Sequence, residues 1–287
     1  MNVNCPYCNS NHYSGSYMPD TEFNGKTFQY LRCTSCEVLF LHPIPDDFDF
    51  IKMYPPSYQG ELITQKNSRF DDLFNQLKIH YPKGKTLLDY GCGNAEFLLS
   101  ASAHGYTCSG LEYNAEFISL LKNHLPQFTF YSILEFNEEK RNFDVIVLNN
   151  VLEHVSNPNA LVSALHTRLN DGGLLVVMGP MEENFTIAQT CRRVMFGLRK
   201  KLLNIKATHV PYHLTFTNFK NQTAIFERNN FTKISFSIEE VAWPFPEKIR
   251  FTSIKNFVFG LLARISIKTS KLFYRHAGNT FVYIGRK

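Results

Sequence analysis

Long hydrophobic runs are missing from this sequence of 287 residues. Its most apolar stretch, residues 257–263, ends at Arg264 and falls far short of the roughly 20 residues that a membrane-spanning helix needs. The first residues, Met1 to Cys5, show neither the basic start nor the apolar segment of a secretory signal. These absences argue against a spanning helix and predict a cytoplasmic location, where cysteine thiols stay reduced.

Acidic residues are scarce in the last third of the chain. Residues 184–287 contain 18 Lys and Arg against 4 Asp and Glu, although the whole chain carries a net charge of only +5. The basic residues alternate with bulky apolar ones, which predicts amphipathic helices over residues 184–206 and 248–276. Such helices could bind a phosphorylated or nucleotide-linked ligand, rest on an anionic membrane, or simply be solvated. Nucleic acid is disfavoured, because no RNA-binding module is visible.

Four of the seven cysteines are paired by their spacing. They form two Cys-x-x-Cys motifs, Cys5 with Cys8 and Cys33 with Cys36. Two such turns can complete a tetrahedral zinc site, which predicts a zinc ribbon over residues 1–45. Four thiolates leave no open position on the metal, so the zinc is expected to be structural. The alternative is a pair of redox dithiols.

Strand-like and helix-like segments alternate after a linker and helix over residues 46–82. The alternation predicts an α/β domain over residues 83–287 with a mostly parallel sheet. The predicted strands are residues 86–90, 106–111, 128–131, 143–148, 174–178, 231–238 and 280–284, and the predicted helices include 69–80, 95–104, 114–124, 158–169 and 218–229.

A glycine loop joins the first strand of this domain to a helix. Asp89 precedes Gly91 and Gly93, and Glu112 ends the next predicted strand, where a carboxylate can accept both hydroxyls of a ribose. A dinucleotide loop would have a third glycine where this chain has Glu96, whose charge would repel a pyrophosphate. Asp89, just before the glycines, suits a cationic or zwitterionic ligand. Both features favour S-adenosylmethionine over NAD.

These motifs resemble the class I S-adenosylmethionine-dependent methyltransferases. The stretch Asp89-Tyr-Gly-Cys-Gly-Asn-Ala95 is similar to their motif I, and residues 143–155, with Leu-Glu-His near the end, are similar to motif IV. With the leading cysteine motifs, the chain resembles bacterial zinc-ribbon methyltransferases, which include sugar C-methyltransferases. The resemblance implies a Rossmann-like sheet of seven strands, and basic inserts over residues 184–217 and 241–279 that shape the acceptor side.

The resemblance also assigns cofactor-binding residues to the ends of four strands. The glycine loop would hold the methionine end of the cofactor, and residues after the second strand would bind the ribose. Two residues after the third strand would contact the adenine, and two residues after the fourth strand would lie beside the sulfonium. In that order these residues are Asp89, Gly91, Cys92 and Gly93, then Glu112 and Tyr113, then Ser132 and Ile133, then Asn149 and Asn150. Cys92 is expected to fill space in the loop rather than to act as a nucleophile.

Two of the ten histidines are candidates for a general base. His154 belongs to the Leu-Glu-His motif, where it could equally pack against the cofactor. His213 matches the base of a Tyr-x-Glu-His motif in the sugar C-methyltransferases, although Val210 and Tyr212 replace its Tyr and Glu. A structural role is the alternative for both histidines.

The sequence as a whole predicts a methyltransferase for a small metabolite. The acceptor is expected to be phosphorylated, nucleotide-linked or lipid-linked, and the basic helices are expected to allow peripheral contact with a membrane. The alternative is a non-catalytic module that binds the cofactor or a partner through the zinc ribbon and the basic helices. The oligomeric state is not predicted.

Overall fold

Twelve strands and nine helices are found in the described part of the computed structural model, which comprises residues 3–63, 65–203, 206–242, 254–273 and 277–287. The strands are β1 (Tyr13–Gly15), β2 (Thr21–Phe23), β3 (Lys26–Cys33), β4 (Leu39–His42), β5 (Thr86–Tyr90), β6 (Thr107–Leu111), β7 (Thr129–Tyr131), β8 (Phe143–Asn149), β9 (Leu169–Pro180), β10 (Thr215–Phe216), β11 (Thr232–Glu239) and β12 (Thr280–Arg286). The helices are α1 (Asp47–Met53), α2 (Asp71–His80), α3 (Glu96–Ala103), α4 (Ala115–His124), α5 (Ile133–Glu138), α6 (Pro158–Thr167), α7 (Ile187–Leu198), α8 (Phe219–Arg228) and α9 (Ile254–Phe273).

The central sheet has seven strands in the order β11-β12-β9-β8-β5-β6-β7. Strands β5 to β9 pair in parallel, whereas β12 runs antiparallel between β9 and β11. The parallel strands are apolar on both faces because helices cover both sides, as Leu87, Leu88 and the run from Val145 to Leu148 illustrate. The predicted α/β class and the mostly parallel seven-stranded sheet are confirmed.

The order of the strands reverses at β5, which lies between β8 and β6. From β5 the chain proceeds outward through β6 and β7, and then returns to the other side of β5 with β8. At such a switch point the loops after neighbouring strands separate and leave a crevice at their carboxyl ends. The glycine loop after β5 and the loop after β8 border this crevice.

A second sheet combines four N-terminal strands with one strand from far along the chain, and its strands pair antiparallel. Its strands follow the order β1-β3-β4-β10, and β2 pairs with β3. Strand β10 belongs to the predicted methyltransferase domain, yet it pairs within the sheet of the N-terminal segment. The predicted domain boundaries, 1–45, 46–82 and 83–287, therefore divide the chain into segments that pack against one another. Buried Phe28, Tyr30 and Leu39 give this sheet an apolar core of its own.

The linker predicted over residues 46–82 contains ordered helix. Helix α1 begins with a capping box, in which the Asp46 side chain accepts from the Asp49 backbone amide and the Asp49 side chain accepts from the Asp46 backbone amide. Lys26 of β3 then bonds Asp46 and Asp49 at 2.6 and 2.8 Å. The segment is therefore fixed against the N-terminal sheet.

The two predicted basic helices appear as α7 and α9, whereas residues 206–217, predicted as part of the first helical insert, are not helical and include β10. Helix α7 begins at the N-cap Thr186 and continues into a π-helical turn over Arg199–Leu203. Of the two predicted basic inserts, residues 204–205, 243–253 and 274–276 lie outside the described residues. None of the described helices combines the length and apolar character that crossing a bilayer requires.

Candidate active site

The glycine loop turns sharply and passes close to the loop after β8. The backbone amides of Gly91 and Cys92 both donate to the Leu111 carbonyl, at 2.8 and 2.9 Å. Gly91 has a φ of 78°, and a Cβ placed there would lie 2.6 Å from a methyl group of Val151. Glycine is therefore required at this position, both for its backbone conformation and for its close approach.

Glu112, the acid predicted to bind a ribose, forms hydrogen bonds with the glycine loop. One carboxylate oxygen of Glu112 accepts from the Gly93 amide at 3.0 Å, and the other accepts from the Tyr113 amide at 2.8 Å. Glu112 is buried, yet it also lines the cavity beside the loop. A buried carboxylate held by backbone amides is oriented in advance for a polar ligand.

Asp89 lies fully buried at the end of β5. One of its carboxylate oxygens has no hydrogen-bond partner among the described residues. Burial, reinforced by the negative charge of Glu112, raises the pKa of Asp89 to about 8. A cationic group would satisfy the orphaned oxygen and offset both carboxylates, so the site fits the charged methionine end of S-adenosylmethionine.

Cys92 points into the core rather than into the crevice. Its sulfur would lie 2.7 Å from a Cβ built on Gly110 of β6, which shows how closely the glycine loop packs against this strand. Burial raises the pKa of the Cys92 thiol well above its ordinary value. A buried and protonated thiol suits the space-filling role that the sequence predicted.

The residues predicted for the adenine and the sulfonium occupy the next two strand ends. Ser132 caps α5 in a capping box with Glu135, and Ile133 behind it lines the cavity. Asn150 also lines the cavity and donates to the side chain of Asn149 at 3.2 Å. The structure thus brings the loops after all four strands to one edge of the sheet.

The crevice holds a cavity of about 370 Å³. Five of the ten predicted cofactor residues line it, together with His154. Four further lining residues come from the segment 46–82, which was predicted as a linker and helix and to which no site residue was assigned. The cavity is lined by Asp47, Phe50, Tyr54, Tyr58, Tyr90, Gly91, Leu111, Glu112, Tyr113, Ile133, Asn150, Val151, His154, Val155 and Ser156.

Aromatic side chains from two distant parts of the chain meet beside the cavity. The Tyr54 ring lies 4.9 Å from Tyr58 and 5.8 Å from Tyr212. The ring centroids of Tyr58 and Tyr212 lie 5.1 Å apart, so each of the three rings contacts the other two. Tyr54 and Tyr58 are near neighbours in sequence, but only tertiary contact brings Tyr212 to them, so no local motif could have predicted the group.

The two candidate bases lie side by side, with ring centroids 4.9 Å apart. Nδ1 of His154 lies 2.8 Å from the Tyr212 carbonyl and 3.0 Å from the Tyr54 hydroxyl. Nδ1 of His213 lies 2.8 Å from a carboxylate oxygen of Glu182, which follows β9. Glu182 supplies an acid beside His213 where the sequence had appeared to lack one.

Charges and burial set different proton affinities within this centre. Burial, together with the neighbouring His213, lowers the pKa of His154 to about 4. Burial opposes charge on His213, but the hydrogen bond to Glu182 and the negative charges of Glu182 and Glu153 together outweigh it, so that the pKa of His213 is raised. Burial raises the pKa of Glu153 to about 7. Strongly perturbed groups in a crevice are typical of a functional site.

The four predicted metal-binding cysteines converge at the end of the second sheet. Sulfur atoms of Cys5 and Cys36 lie 3.6 Å apart, those of Cys8 and Cys33 lie 3.5 Å apart, and all four are within 4.8 Å of one another. Four sulfurs at about 2.3 Å from one zinc ion would be separated by about 3.8 Å. The cluster thus has the size of a four-thiolate zinc site.

The reversed strand order, the glycine loop and the paired acids define a class I methyltransferase fold. A family model described as a methyltransferase domain matches residues 62–235, which is more than half of the chain. The chain therefore belongs to the methyltransferase domain family. Family and fold support S-adenosylmethionine as the cofactor, and the recognition of class I from motifs I and IV is confirmed.

Curated relatives match about a third of the chain. A ubiquinone biosynthesis O-methyltransferase of Coxiella burnetii is 28% identical over 99 residues, covering 32% of this chain and 42% of the relative. Its counterpart in Glaesserella parasuis is 27% identical over 123 residues, covering 37% and 52%. The chain thus spans about half the length of the curated relatives it matches.

Solved structures show the same fold at low sequence identity. A chain in the complex between the Haloferax volcanii Trm112 methyltransferase activator and a methyltransferase superposes with a TM-score of 0.51 at 11% identity. The match covers 85% of this chain and 98% of that chain. The agreement concerns the fold.

Proposed function

We propose that this protein transfers a methyl group from S-adenosylmethionine to a small acceptor. The observation that carries the proposal is the pair of buried acids, Asp89 and Glu112, on either side of the glycine loop. When bound, the cofactor supplies a sulfonium methyl group for in-line displacement. Asp89 would hold the cationic methionine end, and Glu112 the ribose hydroxyls.

Calorimetric titration of S-adenosylhomocysteine into the protein tests this assignment. We expect micromolar binding that Glu112→Ala weakens at least tenfold, because the buried carboxylate would lose its ribose contacts. Glu116→Ala, an exposed acid on the following helix, is the matched control and should bind like the wild type. Absence of binding by a folded sample, or equal affinity of both variants, would contradict the proposal.

For the acceptor we propose a small metabolite that is phosphorylated, nucleotide-linked or lipid-linked. The tyrosine group formed by Tyr54, Tyr58 and Tyr212 offers apolar faces beside the cavity, and the two histidines offer polar contacts. Arg192 of α7 lies 3.7 Å from Glu182, the acid beside His213, and so places a positive charge near this group. Candidate acceptors of the three kinds can be compared by transfer of a labelled methyl group.

We infer that the cluster of Cys5, Cys8, Cys33 and Cys36 binds a structural zinc ion. Its sulfur separations support this inference, because 3.5 and 3.6 Å are too long for disulfide bonds and close to those of a four-thiolate site. The site would clamp the two turns at the end of the second sheet. It leaves no coordination position open for an acceptor.

We also propose that α7 and α9 rest on an anionic membrane surface. An apolar groove of about 540 Å³ runs along α7 and its π-helical turn, where Val194, Leu198 and Leu202 are more than half exposed. Exposed Arg199 and Lys201 flank it and form no ion pair with the described residues. The other basic residues of this region, Arg192, Arg193, Lys200 and Lys206, pair with acids elsewhere in the fold. Apolar exposure beside unopposed positive charge is typical of helices that lie in the membrane interface.

A further inference from the structure

The centre beside the cavity contains three side chains whose chemistry suits a metal ion. One nitrogen of His154, one nitrogen of His213 and one carboxylate oxygen of Glu153 all lie within 4.8 Å of one another. The contact between His154 Nε2 and Glu153 Oε1 measures 3.7 Å, which is too long for a hydrogen bond. Three ligands at about 2.1 Å from one ion would be separated by about 3.4 Å, so small side-chain shifts would close the site.

The hydrogen bonds of both imidazoles leave Nε2 available as a ligand. Nδ1 of His154 faces the Tyr212 carbonyl, which can only accept, so this nitrogen must carry the proton. Nδ1 of His213 faces a carboxylate oxygen of Glu182, which imposes the same tautomer. Metal-binding histidines in proteins are usually held in this way by a carbonyl or carboxylate behind the ring.

The centre is buried on one side and open on the other. Glu153 is almost fully buried, and a Cβ built on Gly179 of β9 would lie only 3.3 Å from its carboxylate. His154 lines the cavity, and the side chains of His154 and His213 are 17% and 23% exposed. An ion held by these three groups would therefore keep coordination positions open toward the cavity.

We propose that Glu153, His154 and His213 form a binding site for a divalent first-row transition-metal ion, separate from the four-cysteine cluster. Two imidazoles and one carboxylate are the ligands of catalytic zinc and of non-haem iron sites, whereas magnesium and calcium prefer oxygen ligands. Glu182 acts as a positioning residue, because its carboxylate orients the His213 ring.

The proposal deepens the proposed function and rests on it for its role in the reaction. Open positions beside the cavity would allow the ion to bind an oxygen atom of the acceptor and lower the pKa of an acceptor hydroxyl. His213 would then serve as a ligand and not as a free base. Metal binding itself can be measured without knowledge of the acceptor.

The test uses cobalt as a spectroscopic probe of the full-length protein. Protein stripped of metal is first given one equivalent of zinc, which the four thiolates bind preferentially, and is then titrated with Co²⁺. We expect one equivalent of Co²⁺ to bind with visible d–d absorption and without thiolate-to-metal charge transfer, since its ligands are nitrogen and oxygen. His154→Ala and His213→Ala should abolish this binding, and Glu182→Gln should weaken it 10- to 100-fold.

His166→Ala, a partly buried histidine on α6 outside the centre, is the matched control and should bind Co²⁺ like the wild type. Circular dichroism and S-adenosylhomocysteine titration of the same samples report folding and the cofactor site. If wild-type protein that binds S-adenosylhomocysteine takes up no Co²⁺ after the zinc, the metal site alone would be overturned. Unchanged Co²⁺ binding by folded His154→Ala and His213→Ala would have the same consequence. If the protein binds one equivalent of Co²⁺ after the zinc but does not bind S-adenosylhomocysteine, the proposed function alone would be overturned.

Discussion

At the scale of single residues, the site depends on two buried acids beside the glycine loop, Asp89 and Glu112. Asp89 is fully buried beneath the glycine loop, and one of its carboxylate oxygens has no hydrogen-bond partner among the described residues. The carboxylate of Glu112 accepts hydrogen bonds from the backbone amides of Gly93 and Tyr113. Two acids in a low-dielectric pocket disfavour each other's ionisation, which a bound cation reverses. Cofactor binding and protonation of Asp89 should therefore be linked.

The affinity for S-adenosylhomocysteine should depend on pH through Asp89. Its pKa of about 8 means that the carboxyl group is mostly protonated below pH 8 in the cofactor-free protein. Binding of the ligand's ammonium group favours the ionised carboxylate, so affinity should rise roughly tenfold per unit between pH 6 and 7 and level off above pH 8. Calorimetry across this range measures the effect.

Asp89→Asn should bind more weakly than wild type and lose this pH dependence, since an amide does not titrate in this range. Asp72→Asn, an exposed acid on α2, serves as the control and should follow the wild-type curve. An affinity of the wild-type protein that stays constant from pH 6 to 8 would show that Asp89 is already ionised before the ligand arrives.

At the scale of elements, the strands of the central sheet were predictable and the short elements were not. The run Thr86 to Tyr90 is bounded by a lysine and a glycine, and β5 matches the prediction residue for residue. Helices α1 and α5 are short, with seven and six residues, and begin at capping boxes that the sequence reading passed over. Strand β10 has two residues, too few for any periodicity to reveal.

The exposed faces of α7 and α9 lead to a prediction about membrane binding. The two helices pack together, with the Ala188 amide donating to Ser266 at 3.0 Å, and their outer residues face away from the protein. We expect the protein to sediment with vesicles containing phosphatidylglycerol and to be released by high salt, because screening weakens the basic contacts. Vesicles of phosphatidylcholine alone should bind it much less.

The double substitution Leu198→Ser and Leu202→Ser should reduce sedimentation about tenfold, since two exposed apolar anchors would be lost. Leu134→Ser removes an equally exposed leucine from α5, outside the basic region, and should leave binding unchanged. Equal sedimentation with neutral and anionic vesicles, or an effect of Leu134→Ser alone, would argue against this surface.

At the scale of the whole molecule, the N-terminal segment forms part of the site. Strand β4 pairs with β10, and the Leu41 amide donates to the Leu214 carbonyl at 2.8 Å. The Tyr30 hydroxyl donates to the carbonyl of His213 at 2.7 Å. The segment carrying His213 is thereby attached to the sheet that the four cysteines close. Pairing across such a distance in sequence has no local pattern, so the sequence alone predicted the ribbon and the histidine but not their connection.

Loss of zinc should therefore disturb the His213 segment as well as the ribbon. Cys33→Ser should lower the unfolding temperature by on the order of 10 °C, because a structural zinc site contributes several kcal/mol to folding. Hydrogen exchange should become faster in β3, β4 and β10, while β5 and β8 in the central sheet keep their protection. Cys191→Ser, at an exposed cysteine on α7, is the matched control and should change neither quantity. Faster exchange in the first 45 residues with unchanged protection of β10 would show that the His213 segment holds its position without the metal.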